Sequence, residues 1–224
     1  MNPAYDLTPL ILTFKLASVT TIILVVIGVP LAWWIALSRN KLRHAVEALV
    51  TMPLVLPPTV LGFYLLLFLG PVSPIGSFLQ KTFDLRMVFS FAGLVFGSVF
   101  YSLPFMVNPI KAGFESVPIS LIEAAYTLGK SKREILLKVL LPNIKPALLT
   151  GIIMTFVHTI GEFGVVLMIG GNIPGKTRLV SIAIYEHVES LNFEAANFYS
   201  VIMVVVSFTI LFLFYLFNRR IKVF

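Results

Sequence analysis

Residues 115–142 read ESVPISLIEAAYTLGKSKREILLKVLLP, from Glu115 to Pro142, the one long stretch that is both charged and helical in pattern. It lies between strongly apolar runs, so the rest of the chain is placed relative to it. Ser120 followed by Glu123 has the spacing of a capping box, in which each side chain satisfies the other residue's free backbone N–H. This predicts a helix over 121–128 that stops at Gly129, because glycine tolerates the left-handed conformation a helix end needs. Ser131 followed by Glu134 repeats the signal. A second helix is expected to run to Pro142, which lacks the N–H to continue the ladder. The product is a helix, a glycine elbow and a second helix, carrying Lys130, Lys132, Arg133 and Lys138.

The flanking runs explain the composition. The chain is 58% hydrophobic and 12% charged, with a mean hydropathy of +0.97. Soluble domains carry roughly 45–50% apolar and about 25% charged residues. The chain is therefore an integral membrane protein, and with its helical-length apolar runs it is expected to be all-α, a single transmembrane domain over 1–224. The net charge of +7 follows the membrane and does not imply nucleic acid. With no cysteine, thiol catalysis, disulfides and thiolate metal sites are excluded. The opening MNPAYDLTPL lacks the basic region of a cleavable signal, so the first apolar run is expected to be kept as a span.

A span needs about 20 predominantly apolar residues. Five stretches qualify, about 16–37, 48–69, 87–110, 147–169 and 198–217. The segment 179–192 is too short for a sixth and reads as a short amphipathic helix, surface-lying or partly re-entrant. Arg39, Lys41 and Arg43, the six cations from Lys111 to Lys145, and Arg219, Arg220 and Lys222 all fall on one side. Only Lys81, Arg86, Lys176 and Arg178, with Lys15 at the membrane edge, fall on the other. Cytoplasmic loops carry the excess of Lys and Arg. This predicts a multi-pass plasma-membrane protein with its N-terminus outside, its C-terminus in the cytoplasm and the 115–142 loop inside.

That loop resembles the cytoplasmic EAA loop of ABC-importer permeases. Glu123-Ala124-Ala125, three residues, Gly129, nine residues, then Val139-Leu140-Leu141-Pro142 follows the pattern EAA-x3-G-x9-I-x-LP, with Val139 where Ile is usual. The resemblance implies a type I importer bundle of about five transmembrane helices with a cytoplasmic coupling helix that seats in the ATP-hydrolysing subunit. The coupling residues it assigns are Glu123, Ala124, Ala125, Gly129, Leu141 and Pro142. Small side chains at 124 and 125 permit close approach of a partner, and Gly129 sets the angle between the helices. For Glu123, helix capping alone is the competing role.

Two further motifs narrow the resemblance. PLVLPPTVLG at 53–62, and GEFG at 161–164 with GNIPGKT at 171–177, are similar to molybdate (oxyanion) permeases of prokaryotic inner membranes, with sulfate permeases distinguishable but related. This implies a homodimer, two ABC ATPase subunits at the cytoplasmic loop, an extracytoplasmic oxyanion-binding protein, surrounding lipid and no cofactor. GNIPGKT, preceded by Gly170, has the letter spacing of a nucleotide-binding loop, but it follows an apolar span and falls on the outer side, so it is not read as one.

Residues that bear on a pathway come from the second and fourth spans. Pro53, Pro57 and Pro58 cannot sit in a regular helix, and in lipid the freed carbonyls must be met by protein or by water in a cavity. Pro57 and Pro58 therefore either line a pathway or form a packed kink. Thr155, His158, Thr159 and Glu162 recur at three and four residues and share one helical face. Ionisable groups inside a membrane usually face the bundle interior or a wet cavity. Thr155, His158 and Glu162 are expected to form a gate or pathway wall, or else a polar helix–helix contact, with a His158–Glu162 pair available. Two ligands at this spacing make no metal site.

The function expected is thus translocation of molybdate by alternating access, energised on a separate subunit. Tungstate or sulfate/thiosulfate transport is the alternative within the class. A polytopic membrane enzyme is the remote alternative: His44 and His187 lie in loops on opposite sides, and no paired catalytic acids are present, so no residue is assigned as catalytic.

Overall fold

The structure is a computed structural model that describes residues 6–221, and its regular elements are all helical. Lys222, the last of the basic tail, lies outside the described residues.

The order is α1 (Thr8–Leu37), α2 (Leu42–Thr51), a 3-10 turn at Met52–Leu54, α3 (Pro58–Leu69), α4 (Pro74–Phe83) and α5 (Phe91–Ser116). Then come α6 (Ile119–Thr127), α7 (Lys132–Ile135), a π-turn at Leu136–Leu140, α8 (Leu141–Asn143), α9 (Lys145–Ile160), α10 (Gly164–Gly170), α11 (Val180–Glu189) and α12 (Phe193–Ile221). Helix α5 is the axis of the bundle, packed by α1, α9 and α10. Its core with α1 is Leu24, Ala32, Ile35, Met106, Val107, Ile110 and Phe114. Ala125, Ile135, Leu140 and Ile144 join the same cluster. The charged loop is therefore anchored to one end of the bundle through its few apolar residues. Helix α12 is peripheral: only 11% of its apolar window is buried, as befits a helix whose other neighbours are lipid.

The first, third and last apolar runs become α1, α5 and α12, each longer than the run itself. Among the described residues these three are long and apolar enough to cross a bilayer singly. Up to five spans result if each of two bent pairs counts as one. The second span, at 48–69, is broken at its prolines as expected: it consists of α2 with its 3-10 turn, then α3, bent by 112°. Three prolines in six residues remove the donors and add the ring clashes that a straight helix cannot absorb. The stretch expected at 147–169 is α9 and α10, separated at Gly161–Phe163. The second bent apolar pair lies upstream, Lys132–Asn143 with Lys145–Ile160, at 77°.

The Gly- and Pro-containing loop after α3 is ordered enough to contain α4. Ser73 accepts the Gly76 N–H at 2.8 Å and Pro74 occupies the first turn, where its missing donor costs nothing. Pro142 does not end the second helix of the charged loop. The backbone widens to π spacing just before it, with Leu141 N–H bonded to Leu136 O, and regular structure continues to Asn143. A wider turn relieves the clash of a proline ring with the preceding turn.

Candidate functional site

Two helix breaks face each other in the bundle. Helix α9 ends at Ile160, where Gly161 N–H closes onto His158 O at 3.1 Å, and α10 starts at Gly164. Opposite, α3 starts at Pro58, after an extended Pro57. The two ends touch: a Cβ added to Gly164 would lie 2.8 Å from Pro58 Cβ, so only glycine permits this approach. Between them opens a cavity of about 490 Å³ lined by Pro58, Thr59, Tyr101, Val157, His158, Gly161, Glu162, Phe163 and Gly164. Pro57 and Thr155 do not line it.

His158 in the cavity wall joins a polar network behind it. His158 Nδ1 lies 2.9 Å from Ser102 Oγ, which is 3.0 Å from Thr159 Oγ1, and Thr159 donates to Thr155 O at 2.9 Å. Phe105 stacks on the imidazole with centroids 3.8 Å apart, and Tyr101 approaches from the side at 4.7 Å. The expected His158–Glu162 pair is absent. The break at Gly161 carries Glu162 off the helical face it would share with His158, and both carboxylate oxygens are buried without a hydrogen-bond partner. Ser98 on α5 faces this carboxyl, but no hydrogen bond closes between them. Thr155 is fully buried and its hydroxyl is likewise unpartnered. Each such orphan costs about 1–3 kcal/mol, and more for a charge. Ser181 of α11 donates to Glu162 O at 2.7 Å and ties the break to the following helix.

At the other end, the charged loop forms an elbow. Gly129 has φ +71°, and nothing lies within 4 Å of an added Cβ, so the backbone and not packing demands glycine here. Gly129 N–H bonds Tyr126 O at 2.9 Å and Lys130 N–H bonds Ala125 O at 3.1 Å, the paired closure of a Schellman end. The Ser131–Glu134 capping box forms, and Glu134 also pairs with Lys130 at 3.6 Å and Lys138 at 3.4 Å. The Ser131 backbone N–H, with Lys130 beside it, holds the Glu134 carboxyl below its ordinary range. The Ser120–Glu123 box does not form. Extended Pro118 starts α6 at Ile119, which puts Ser120 inside the helix. Glu123 and Ala124 are exposed, whereas Ala125 is turned into the core. Ile119, Tyr126 and Leu128 are left exposed on the same elbow, Leu128 by 77%. Pro142 is exposed and Leu141 half-buried.

Residues 28–223 match the family model described as the binding-protein-dependent transport system inner membrane component. The chain belongs to that family. It is accordingly a multi-pass inner-membrane component of a transport system. The molybdenum transport system permease protein ModB of Azotobacter vinelandii is 48% identical, over 97% of this chain and 96% of the relative. The putative molybdenum transport system permease protein YvgM of Bacillus subtilis is 35% identical, over 92% and 90%. The sulfate transport system permease protein CysT of Salmonella typhimurium is 32% identical, over 89% and 72%. Among solved structures, the inward-facing MetNI methionine ABC transporter superposes with a TM-score of 0.73 at 21% identity, covering 95% of this chain and 94% of the other. A bacterial ABC transporter for the acidic polysaccharide alginate gives 0.72 at 16%, covering 94% and 79%. These likenesses establish the type I importer permease fold.

In this inner-membrane component the GNIPGKT segment turns out to be a folded turn. Buried Thr177 donates to Gly170 O at 2.7 Å and accepts the Ile173 N–H at 3.2 Å. Ile173 O gathers the N–H groups of Lys176, Thr177 and Arg178 within 3.1 Å. Arg178 is held by Asn172 Oδ1 at 2.7 Å and Glu186 at 3.1 Å. The contacts of Tyr101 and Ser102 with His158 join segments at least 56 residues apart and have no local signal in the sequence. Sequence reasoning missed Ser98, Thr59 and Ser181. Ser98 lies one helical turn before Ser102 on α5, and that spacing is the signal that was available.

Proposed function

We propose that this chain is the membrane permease of an ATP-driven importer that carries molybdate by alternating access. The observation that carries the substrate is the near-full-length likeness to the Azotobacter relative named for molybdenum transport. Two copies, each a single permease domain, pair with two ATPase subunits and receive the oxyanion from a binding protein outside. The N-terminus lies outside and the C-terminus in the cytoplasm, following the Lys and Arg distribution.

The elbow supports the coupling assignment. Glu123 and Ala124 stand exposed on a short helix, flanked by exposed Ile119, Tyr126 and Leu128. Exposed apolar groups rimmed by charge mark a contact surface. Gly129, Leu141 and Pro142 set the angle at which that surface is presented, and Ala125 anchors it to α5. Closure of the ATPases would then turn the elbow and, through the shared core, the bundle.

The facing breaks support a pathway at the 490 Å³ cavity. Broken helices at membrane depth occur where backbone lines a cavity, and buried ionisable groups there mark ion or substrate routes. His158, Glu162 and Pro58 form its wall, while Thr155 and Pro57 stand behind it as supports. Sulfate is the second reading, favoured by the sulfate-permease relatives, and tungstate shares the chemistry of molybdate.

The test is elemental uptake in cells that express this chain with its ATPase and binding protein, offered molybdate, tungstate and sulfate together. Chain-dependent accumulation of molybdenum is expected. Accumulation of sulfur alone would move the protein to the sulfate branch, and no dependence for any anion would sink the substrate assignment.

A further inference from the structure

A second cavity lies at the end of the bundle away from the elbow. Helix α5 separates the two: its 26 residues span about 39 Å, with Ser116 leading to the elbow and Ser90 at the cavity. The cavity holds about 460 Å³, and its polar wall is Gln80, Arg86, Ser90 and Lys176, with Met87 and Phe89 between them. Among the described residues no Asp or Glu lines it. Arg86 and Lys176 are exposed, and among the described residues neither the two charged side chains nor the Gln80 amide has a hydrogen-bond or ion-pair partner. Arg178, two residues after Lys176, is committed to Glu186 and Asn172. Asp84, two residues before Arg86, caps α4 in a left-handed conformation outside the lining.

The wall is built rather than accidental. Ser90 accepts the Gly93 N–H at 3.1 Å and donates to Met87 O at 2.7 Å, so the start of α5 is folded tightly against the lining loop. Phe89 holds φ +59°, an unfavourable angle for an aromatic residue, and its N–H is fixed on Ile169 O at 2.8 Å. Such strain persists only where surrounding contacts over-determine it. The α5 N-terminus beside the cavity adds positive potential to that of the two side chains.

We infer that this cavity is a capture site for a tetrahedral oxyanion, with Arg86 and Lys176 as its charged ligands and Gln80 as a neutral donor. Guanidinium forks match paired oxyanion oxygens, and an ammonium adds a mobile point charge. A water occupies about 30 Å³ of liquid, so the volume admits an anion still carrying part of its hydration shell. The inference rests on the oxyanion-importer reading for its physiological ligand and places a holding site at the mouth, ahead of the cavity at Glu162. A phospholipid phosphate offers the same chemistry from the membrane.

The experiment uses the complete permease–ATPase complex in nanodiscs of phosphatidylcholine, without the binding protein, and measures retention of radiolabelled molybdate by equilibrium dialysis. The wild type is expected to retain label that sulfate displaces. Arg86→Gln/Lys176→Gln should weaken retention at least tenfold, and Lys81→Gln, outside the lining, should leave it unchanged. Thermal melting and ATPase content certify that each variant is assembled. In a second arm with phosphatidylglycerol, lipid that co-purifies with the wild type but not with the double variant, and abolishes molybdate retention, supports the site and assigns it to the headgroup. Equal retention by the double variant, or none by the wild type without bound lipid, overturns the inference. So does a double variant that retains molybdate but, when the binding protein is then added back, needs more of it to stimulate ATP hydrolysis, which would make the basic wall a docking surface. A wild-type complex that imports molybdate yet fails these tests sinks this site alone, whereas one that imports none sinks the importer reading.

Discussion

Ser102 Oγ of α5 lies 2.9 Å from His158 Nδ1 of α9, across a sequence separation of 56 residues. This contact joins the two helices that contribute Tyr101 and His158 to the cavity wall. The same hydroxyl meets Thr159, so one serine orders two residues of the neighbouring helix. Removing it leaves a part-buried imidazole nitrogen without a partner, which costs about 1–3 kcal/mol. Ser102→Ala should therefore lower the melting temperature of the purified complex, and ATPase subunits should still co-purify at the wild-type ratio.

Gly164 meets Pro58 with no room for a side chain. Gly164→Val forces α10 and α3 apart, and overpacking of this kind costs about 1–3 kcal/mol. The expected result is a lower melting temperature together with a clear loss of uptake. Gly161→Ala is the control: nothing but two carbonyl oxygens at 3.8 Å comes near its added Cβ, so its melting temperature should stay close to the wild type.

Gly129 fails for a different reason. Space is free around it, but φ +71° is a left-handed conformation that costs an L-residue roughly 1–2 kcal/mol, and a β-branched residue most. Gly129→Val is expected to leave the protein inserted and to re-aim α6. ATP-driven uptake should fall at least fivefold while the membrane yield is kept. Wild-type uptake in this variant would remove the coupling assignment.

Glu134 makes the elbow sensitive to acid. Its carboxyl is held below the ordinary range by the Ser131 N–H and by Lys130. A depressed carboxylate contributes stability that is full at neutral pH and is lost as pH falls through the folded-state value. Hydrogen exchange at Ser131 and Glu134, corrected for intrinsic rates, should show protection at pH 7 that drops below the ordinary carboxylate pKa of about 4.3. In Glu134→Gln the protection should be weaker at neutral pH and no longer change across that range.

Buried Glu162 has no partner for either oxygen. Replacing it with an uncharged side chain of the same shape removes the cost of an unpaired buried charge. Glu162→Gln should melt no lower than the wild type. If the cavity lies on the pathway, its uptake rate should nevertheless change several-fold, and an unaltered rate would place Glu162 in a packing role.

The sequence alone determined the class, the apolar runs that become α1, α5 and α12, and the elbow of residues 115–142. Each rests on local physics: runs of apolar side chains too long for water, a serine three residues before a glutamate, a glycine where the backbone turns left-handed. Even there one local signal yielded to another, because Pro118 set the start of α6 and displaced the Ser120–Glu123 box. Tertiary structure decided where the prolines and glycines break the helices and what the breaks face. Helical periodicity placed His158 and Glu162 on one face, but the close approach of Gly164 to Pro58 is what fixes the break between them. Likewise, nothing local to Arg86 and Lys176, 90 residues apart, brings them to one cavity. The folded turn at 170–178 and the strained Phe89 do so, since contacts between distant segments are set by packing that no local pattern encodes.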